Sequence, residues 1–542
     1  MSIPDVTRAR RQHAAAWLGY RVAWAVVLAA APGGPALAQL LPQMGAPVAL
    51  GDLRQAFERA YGPPVGVPAG RNWTFTPGID VDIQATDNAR ALGTARRGGE
   101  MVTTVTPSLL IQGESQRLSG SLNYAPQFRT FLRDSRQNSV GQNLNASARA
   151  TIFEDLLFLN ASAYAAEYSR AGGLGQSSNG SLSRQDRVQT TSFSVGPQLR
   201  HSFGDYGVAQ LSHTYANQKI VGPALRSNSP FTQPVVPGAT VTNSTEASFT
   251  SGQEFGRLNF GVTLSRIMYD GQGVLKGAHR SSETLDLGYA VTREVTLLGQ
   301  VGHQDLKYGG TRSIRINGAI WSVGARWTPD PDTTMTVRYG YRDGGASFSF
   351  EGSTAPTART RISASYSEAM ANQAEELQYA LGRTQLSTSG ITIDPRTGMP
   401  VIVANNFGGA QGGLARVRRV SVSGVLTQDI DTYSVSVNRD ERITLSGDAP
   451  GGAPTTSYLT ASLAWQRELG PGLRGNALFN YGTRTAGGFG SQQTMTMSTG
   501  LNWSLSETLS TRASYTYTRA TSKPVGFGYE ASLISLGLHK TF

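Results

Sequence analysis

From Asn72 onward, apolar and polar residues alternate along the chain with a period of two. Leu144, Ala146, Ala148, Ala150 and Ile152 are interleaved with Asn145, Ser147, Arg149 and Thr151. Met335, Val337, Tyr339 and Tyr341 alternate with Thr336, Arg338, Gly340 and Arg342, and Leu509 to Tyr517 repeats the scheme with Ser510, Arg512, Ser514 and Thr516. Successive side chains of an extended strand point to opposite faces, so each stretch has one apolar and one polar face. Dyads about ten residues long, apolar outside and polar inside, are expected of strands that cross a membrane around an aqueous lumen. A soluble solenoid or sandwich would also alternate, but it would bury its large apolar residues in a core.

The pattern predicts strands at approximately 72–84, 100–112, 116–128, 141–152, 156–168, 187–199, 206–217, 239–250, 256–268, 281–292 and 295–307. It continues at approximately 315–327, 333–342, 345–353, 358–368, 416–427, 431–442, 455–467, 472–484, 492–504, 508–520 and 529–542. Short turns, such as Glu154-Asp155, Gly204-Asp205, Gly470-Pro471-Gly472 and Ser506-Glu507, alternate with long links at 169–186, 218–238, 269–280, 369–415 and 443–454. Short periplasmic turns, long extracellular loops and an even strand count belong to bacterial outer-membrane barrels, whose closure also removes every exposed sheet edge. The expected fold is therefore all-β: a transmembrane antiparallel barrel of about 22 strands, within a range of about 18–24, over residues 72–542. Trp73, Phe131, Phe153, Trp327, Trp465, Phe479, Tyr481, Trp503 and Phe542 recur near strand ends and are candidates for the two interfacial aromatic girdles.

Residues 1–38 read as a secretory signal: Arg8, Arg10, Arg11 and Arg21, then apolar Val22 to Ala31, a Pro-Gly-Gly-Pro break, and an A-x-A site at Ala36 and Ala38. The apolar run is too short to span a bilayer as a helix. Residues 39–71 form a Pro- and Gly-rich arm with one predicted helix over Asp52 to Arg59, periplasmic or entering the lumen, and too short for an independent plug domain. The longest loop, 369–415, has helical spacing at Met370, Ala374, Leu377 and Leu381. A loop of that length either folds into the lumen as a constriction or caps the barrel outside.

Composition narrows the function classes. Of 542 residues none is cysteine and 63 are glycine, with charged residues at 16%. The formal charge is +11, but the arginines are dispersed and form no basic cluster interleaved with aromatics, so nucleic acid is not an expected partner. His201, His213, His279, His303 and His539 lie far apart with no metal-ligand spacing, and no G-x-S-x-G elbow occurs. No metal, cofactor or catalytic residue is assigned. For a barrel-embedded hydrolase or acyltransferase, His201-Ser202 and His303-Gln304-Asp305 are the nearest candidates, and pore lining is their simpler reading. Arg117, Arg149, Arg338 and Arg512 are expected to line the lumen. They would form a ring favouring anionic solutes or pair with neighbouring carboxylates.

The final segment, Tyr529 to Phe542, places Ile534, Leu536, Leu538 and Phe542 on one face. It resembles the closing strand of bacterial outer-membrane barrels, whose terminal assembly signal is matched at Ser535, Gly537 and Phe542, with Lys540 departing from it. Nearer the start, Trp73, Pro77, Thr86-Asp87-Asn88, Pro107, Tyr124 and the run Asn143 to Ala163, with Phe153-Glu154-Asp155-Leu156-Leu157-Phe158-Leu159, resemble the outer-membrane proteins associated with the PEP-CTERM/exosortase system. Those motifs cover roughly the first hundred residues after the arm, and Ala85 departs from the family pattern. The resemblance implies a barrel of the bacterial outer membrane accompanying exopolysaccharide production. Implied partners are outer-membrane lipid and lipopolysaccharide, the barrel-assembly machinery and polysaccharide export machinery. The expected function is a channel or export component for polar solutes. An embedded enzyme and a closed structural or adhesive barrel are the alternatives.

Overall fold

The computed structural model describes residues 73–89, 98–169, 187–221, 238–310, 312–372, 413–447, 455–487, 490–523 and 528–542, together with 184, 375, 385–386 and 392–393. The signal segment, the arm over 39–71 and most of 373–412 lie outside the described residues.

The predicted alternation becomes a single closed antiparallel sheet. Its strands are β1 (Thr74–Thr86), β2 (Glu100–Glu114), β3 (Leu118–Tyr124 continuing as Gln127–Phe131) and β4 (Ser139–Gly141 continuing as Leu144–Phe153). Next come β5 (Leu157–Ser169), β6 (Arg187–Ser202), β7 (Gly207–Val221), β8 (Gly238–Ser251), β9 (Leu258–Asp270), β10 (His279–Ala290) and β11 (Val295–Tyr308). Then follow β12 (Ile314–Asp330), β13 (Thr333–Arg342), β14 (Gly345–Thr357), β15 (Thr360–Asn372), β16 (Gly413–Gln428) and β17 (Asp431–Gly447). The last are β18 (Thr455–Gly470), β19 (Leu473–Ala486), β20 (Gly490–Ser504), β21 (Leu509–Lys523) and β22 (Tyr529–Thr541). Short interruptions at 125–126 and 142–143 split β3 and β4 without changing their register, so the sheet's 24 segments make 22 strands. Closure is by β1 against β22, from Gly78 opposite Thr541 to Thr86 opposite Leu533. With strands about 4.8 Å apart and tilted about 40°, a circular barrel of this count has a backbone radius of roughly 20 Å.

The two interruptions were not predicted. Pro126 lacks an N–H for the ladder, and at that point the Ala125 N–H donates to the Asn143 carbonyl at 2.8 Å while the Asn143 amide donates to the Ala125 carbonyl at 3.3 Å. Elsewhere in the barrel, strand existence and order match the sequence reading, with ends shifted by a few residues; a two-residue pair, Gln385–Leu386 with Thr392–Ile393, forms a separate ladder in the long loop that was not predicted.

Register fixes the faces. Val81, Ile83 and Ala85 stand opposite Leu538, Leu536 and Ile534, and Ile83, Ile534, Leu536 and Leu538 are among the exposed large apolar side chains (Leu536 57%, Ile534 54%). Leu264, Val301, Trp321, Val323, Val435, Leu463 and Met497 continue the same outward belt. Such a continuous apolar circumference is stable only in lipid. At the short-turn end it is rimmed by Phe153, Phe203, Tyr206, Tyr289, Trp327, Trp503 and Phe542, all exposed. Phe131 is a correction to the predicted girdle: it is buried and packs inward on Val102 and Leu533, because at its level the register pairs it with Val102 on the lumen face. Trp465 is outward by register, opposite Tyr433, but its indole N–H is taken by the Asp431 carboxylate at 2.8 Å.

Candidate functional site: the lumen and its rim

On most strands, Ser, Thr, Asn, Gln and Gly predominate at the inward positions. Directly opposed pairs join side chain to side chain: Ser121 with Ser147 at 3.0 Å, Ser162 with Ser194 at 2.7 Å, Ser363 with Ser423 at 2.7 Å, and Ser498 with Thr516 at 2.9 Å. Ser421 donates to Asn438 at 2.8 Å. Such cross-strand pairs stabilise the wall by a few tenths of a kcal/mol to about 1 kcal/mol each. They present a hydroxyl and amide lattice to whatever occupies the lumen.

Charged lumen residues are held in local sets. Arg512 reaches across β22 to the carboxylates of β1, with Nη1 and Nη2 donating to Asp80 at 2.7 and 2.8 Å and Nε and Nη2 to Asp82 at 3.2 and 2.9 Å. The Ser535 hydroxyl donates to Asp82 at 2.9 Å, and His539 Nδ1 lies 3.7 Å from Asp80. Gly537, opposite Arg512, permits this crossing: a Cβ there would sit 2.6 Å from Arg512 Nε. Two members of the suggested assembly signal, Ser535 and Gly537, thus belong to a lumenal clasp over the closure seam, while Phe542 faces outward. The Thr86-Asp87-Asn88 motif forms a second clasp at the far end of that seam: Asp87 accepts from the Ser532 N–H at 2.7 Å, and the Asn88 amide donates to the Glu530 carbonyl at 2.9 Å.

The other predicted lining arginines have different fates. Arg338 faces inward 3.8 Å from Asp286, which accepts from Gln300 at 2.9 Å; Gln300 in turn accepts from Arg342 at 3.0 Å. Arg149 faces inward with its guanidinium 4.1 Å from the centre of the Phe158 ring. Arg117 lies in the exposed turn between β2 and β3 rather than along the wall. Arg149, Arg338 and Arg512, on β4, β13 and β21, are therefore engaged separately and are not brought together. Near the break in β4, Glu167 is bracketed by Arg129 and by Arg187 at 3.3 Å, another set the sequence did not suggest.

The hydrolase candidates lie on the outer wall. His303 stands opposite Ala319, two residues along from the pair Val301 and Trp321, and its Nε2 is 3.1 Å from Asn317 Oδ1. Asp305 shares that face and pairs with His279 at 3.3 Å. His201 packs edge-on against Phe203 at 4.6 Å in the short-turn girdle. Their expected pore-facing position is corrected by parity: odd positions on β6 and β11 point outward. Among the described residues no group of acidic, His or Cys side chains has metal-holding geometry.

The most ordered polar cluster sits at the long-loop rim. On the inner faces of β9, β11 and β12, apolar residues replace the usual hydroxyls: Ile267, Tyr269, Leu306, Tyr308, Ile314 and Ile316. Val274, Leu275 and Ala278 from the β9–β10 link pack into this patch, as do Met370 and Leu414, which flank the long loop. The residues that flank 373–412 are therefore docked on the inner wall at the mouth. Polar groups fix it in place. Arg280 Nη2 donates to Asp343 at 2.8 Å and Nη1 to the Met370 carbonyl at 3.5 Å, with Glu375 at 3.7 Å. The Tyr269 hydroxyl donates to Glu375 at 2.6 Å, and the Met370 N–H donates to Asp343 at 3.2 Å. Asp343 and Gly344 both have positive φ (54° and 74°), as the two-residue hairpin between β13 and β14 requires. The Asn372 N–H donates to the Glu375 carboxylate at 3.0 Å and the Glu375 N–H to the Asn372 side-chain oxygen at 3.1 Å, the reciprocal pattern of a capping box. Met370, the first of the helically spaced positions, is in β15, and Ala374, Leu377 and Leu381 lie outside the described residues. Burial raises the Glu375 carboxyl above its ordinary value, opposed by Arg280 and the Tyr269 hydroxyl.

No protein-family model and no functionally described protein sequence matches the chain. Solved structures do. The FrpB iron transporter from Neisseria meningitidis, in its apoprotein form, aligns over 89% of this chain and 83% of its own, with a TM-score of 0.50 and 11% identity. The chain is an outer-membrane β-barrel. Two further barrels align more loosely. They are the ferric-catecholate import receptor Fiu from E. coli K12 in its closed form (86% and 81% covered, TM-score 0.47, 10% identity) and the siderophore receptor PiuA from Acinetobacter baumannii (86% and 82%, 0.48, 8%). At these identities the likeness is one of fold.

Proposed function

We propose that this barrel is a passive conduit for hydroxyl-rich polar solutes across the outer membrane, working alongside exopolysaccharide production. The observation that carries the reading is the lumen wall, built from cross-strand hydroxyl and amide pairs. Its charges are neutralised in local sets rather than gathered into a selectivity ring. A wall of donors and acceptors with few free charges exchanges hydrogen bonds with sugars and water without holding either tightly, as conduction requires. The FrpB barrel is by name an iron transporter, which supports passage of solute through a barrel of this size. The Trp73 and Thr86-Asp87-Asn88 motifs support the link to exopolysaccharide production, and the residues docked at the rim support control of access by 373–412.

Proteoliposome swelling with neutral oligosaccharides of increasing length, against charged ones of equal length, tests this. Faster swelling with neutral sugars than in empty vesicles, little changed by acidic substituents, is expected. Swelling no faster than in protein-free vesicles, with a correctly folded barrel, would shift weight to a closed structural or adhesive barrel. His303 and Asp305 are held on the outer wall by Asn317 and His279, so no observation favours an embedded hydrolase.

A further inference from the structure

Above the apolar belt on the long-loop side, the outer wall of β9 to β12 carries charge where lipid-facing strands ordinarily end in aromatics. Register sets His279, Lys307 and Arg315 directly opposite one another on three adjacent strands. Like charges placed opposite each other destabilise a ladder. The Lys307–Arg315 pair nonetheless sits on the outer face, with Arg315 two-thirds exposed. One residue pair lower, Arg266 and Asp305 flank Ser281. Asp305 is committed to His279 at 3.3 Å and Arg315 at 3.7 Å, and among the described residues no carboxylate lies within ion-pair distance of Lys307 or Arg266. Lower still are Glu283 opposite His303, and then the apolar Leu285, Val301 and Trp321. From Val301 to Lys307 the strand rises roughly 20 Å along its length, or roughly 15 Å along the barrel axis at a tilt of about 40°. The basic row thus stands at headgroup depth, just outside the acyl boundary.

We propose that this face binds the phosphorylated sugar headgroup of an outer-leaflet glycolipid, with Lys307 and Arg315 as the main phosphate contacts and Arg266 below them. The glycolipid's acyl chains would lie on Leu264, Val301 and Trp321, and its phosphates would relieve the like-charge contact. Charge complementarity and position select this occupant. A soluble anion would have no reason to sit directly above an apolar wall.

The test uses full-length protein purified in detergent and native mass spectrometry with two probes: diphosphorylated lipid A, and the same lipid A stripped of its phosphates. The protein should retain the phosphorylated form at least tenfold more tightly. The double variant Lys307→Gln/Arg315→Gln should lose roughly thirtyfold of that affinity, since each basic group near an anionic surface contributes about a factor of five. Arg136→Gln, in an exposed loop away from this face, should change nothing. Heat-dependent gel mobility confirms that each variant is folded. Equal binding of the two lipids, or a double variant that binds as well as the parent, overturns the proposal. Inorganic phosphate competing as effectively as lipid A would also overturn it, by showing a simple anion site.

Discussion

Removing the Arg512 guanidinium should weaken the barrel at its closure seam. In Arg512→Met, Asp80 and Asp82, 3% and 4% exposed, would lose four charge-assisted hydrogen bonds. Ser535 and His539 would be their remaining partners. Breaking a buried ion pair by deleting one partner costs about 3–5 kcal/mol. The Arg512 side chain is 23% exposed toward the lumen, so screening reduces the expected loss to about 2–4 kcal/mol. Equilibrium urea unfolding in phospholipid micelles, followed by tryptophan fluorescence, reads this as a lower midpoint at unchanged slope. The triple variant Asp80→Asn/Asp82→Asn/Arg512→Met removes the stranded charges and should recover at least half of the loss. A single variant within about 1 kcal/mol of the parent would refute the reasoning, as would a triple variant no better than the single.

Gly537→Ala should act in the same direction but more weakly, through displacement of Arg512, and the same unfolding assay checks it. Val323→Arg, at the middle of the outward belt with Val323 58% exposed, should cost about 2–4 kcal/mol in a bilayer; a neutral result would displace the assigned lipid face. Arg280→Met should strand Asp343 and Glu375 and release the loop base, seen as faster hydrogen exchange at Met370–Asn372 and Leu414–Ala415 with the rest of the barrel unchanged. Glu375 makes the docking pH-dependent. Because its docked pKa is raised by burial, its protonation favours docking fully below its ordinary value of 4.5, and that contribution is lost as pH rises through the raised value. Channel open time should therefore fall on acidification in the parent and respond less in Glu375→Gln.

Much of the wall was legible because alternation is a local signal: each outward Val, Leu or Tyr reports its own face. The seam was legible only in part. Arg512 was identified as inward, but Asp80 and Asp82 lie some 430 residues away in the chain, and no periodicity couples them. His303 and Asp305 looked like pore lining because polar residues on a barrel strand usually are. Their parity with Val301 was the available evidence to the contrary. The rim left signals that alternation alone does not interpret. Ile267, Tyr269, Leu306 and Tyr308 put apolar side chains on lumen positions, Asp343-Gly344 is a hairpin dipeptide, and Asn372-x-x-Glu375 has the spacing of a capping box. Each marks a place where strand logic gives way to packing against another segment.

Single-channel conductance of the refolded full-length protein in a planar bilayer, compared with a variant in which 373–412 is replaced by a short Gly-Ser link, tests the conduit reading most directly. Steady conductance in the parent that rises and loses its closures in the variant is the expected result. Absence of conductance in both, with each barrel folded and inserted, would contradict an open polar lumen gated at its rim.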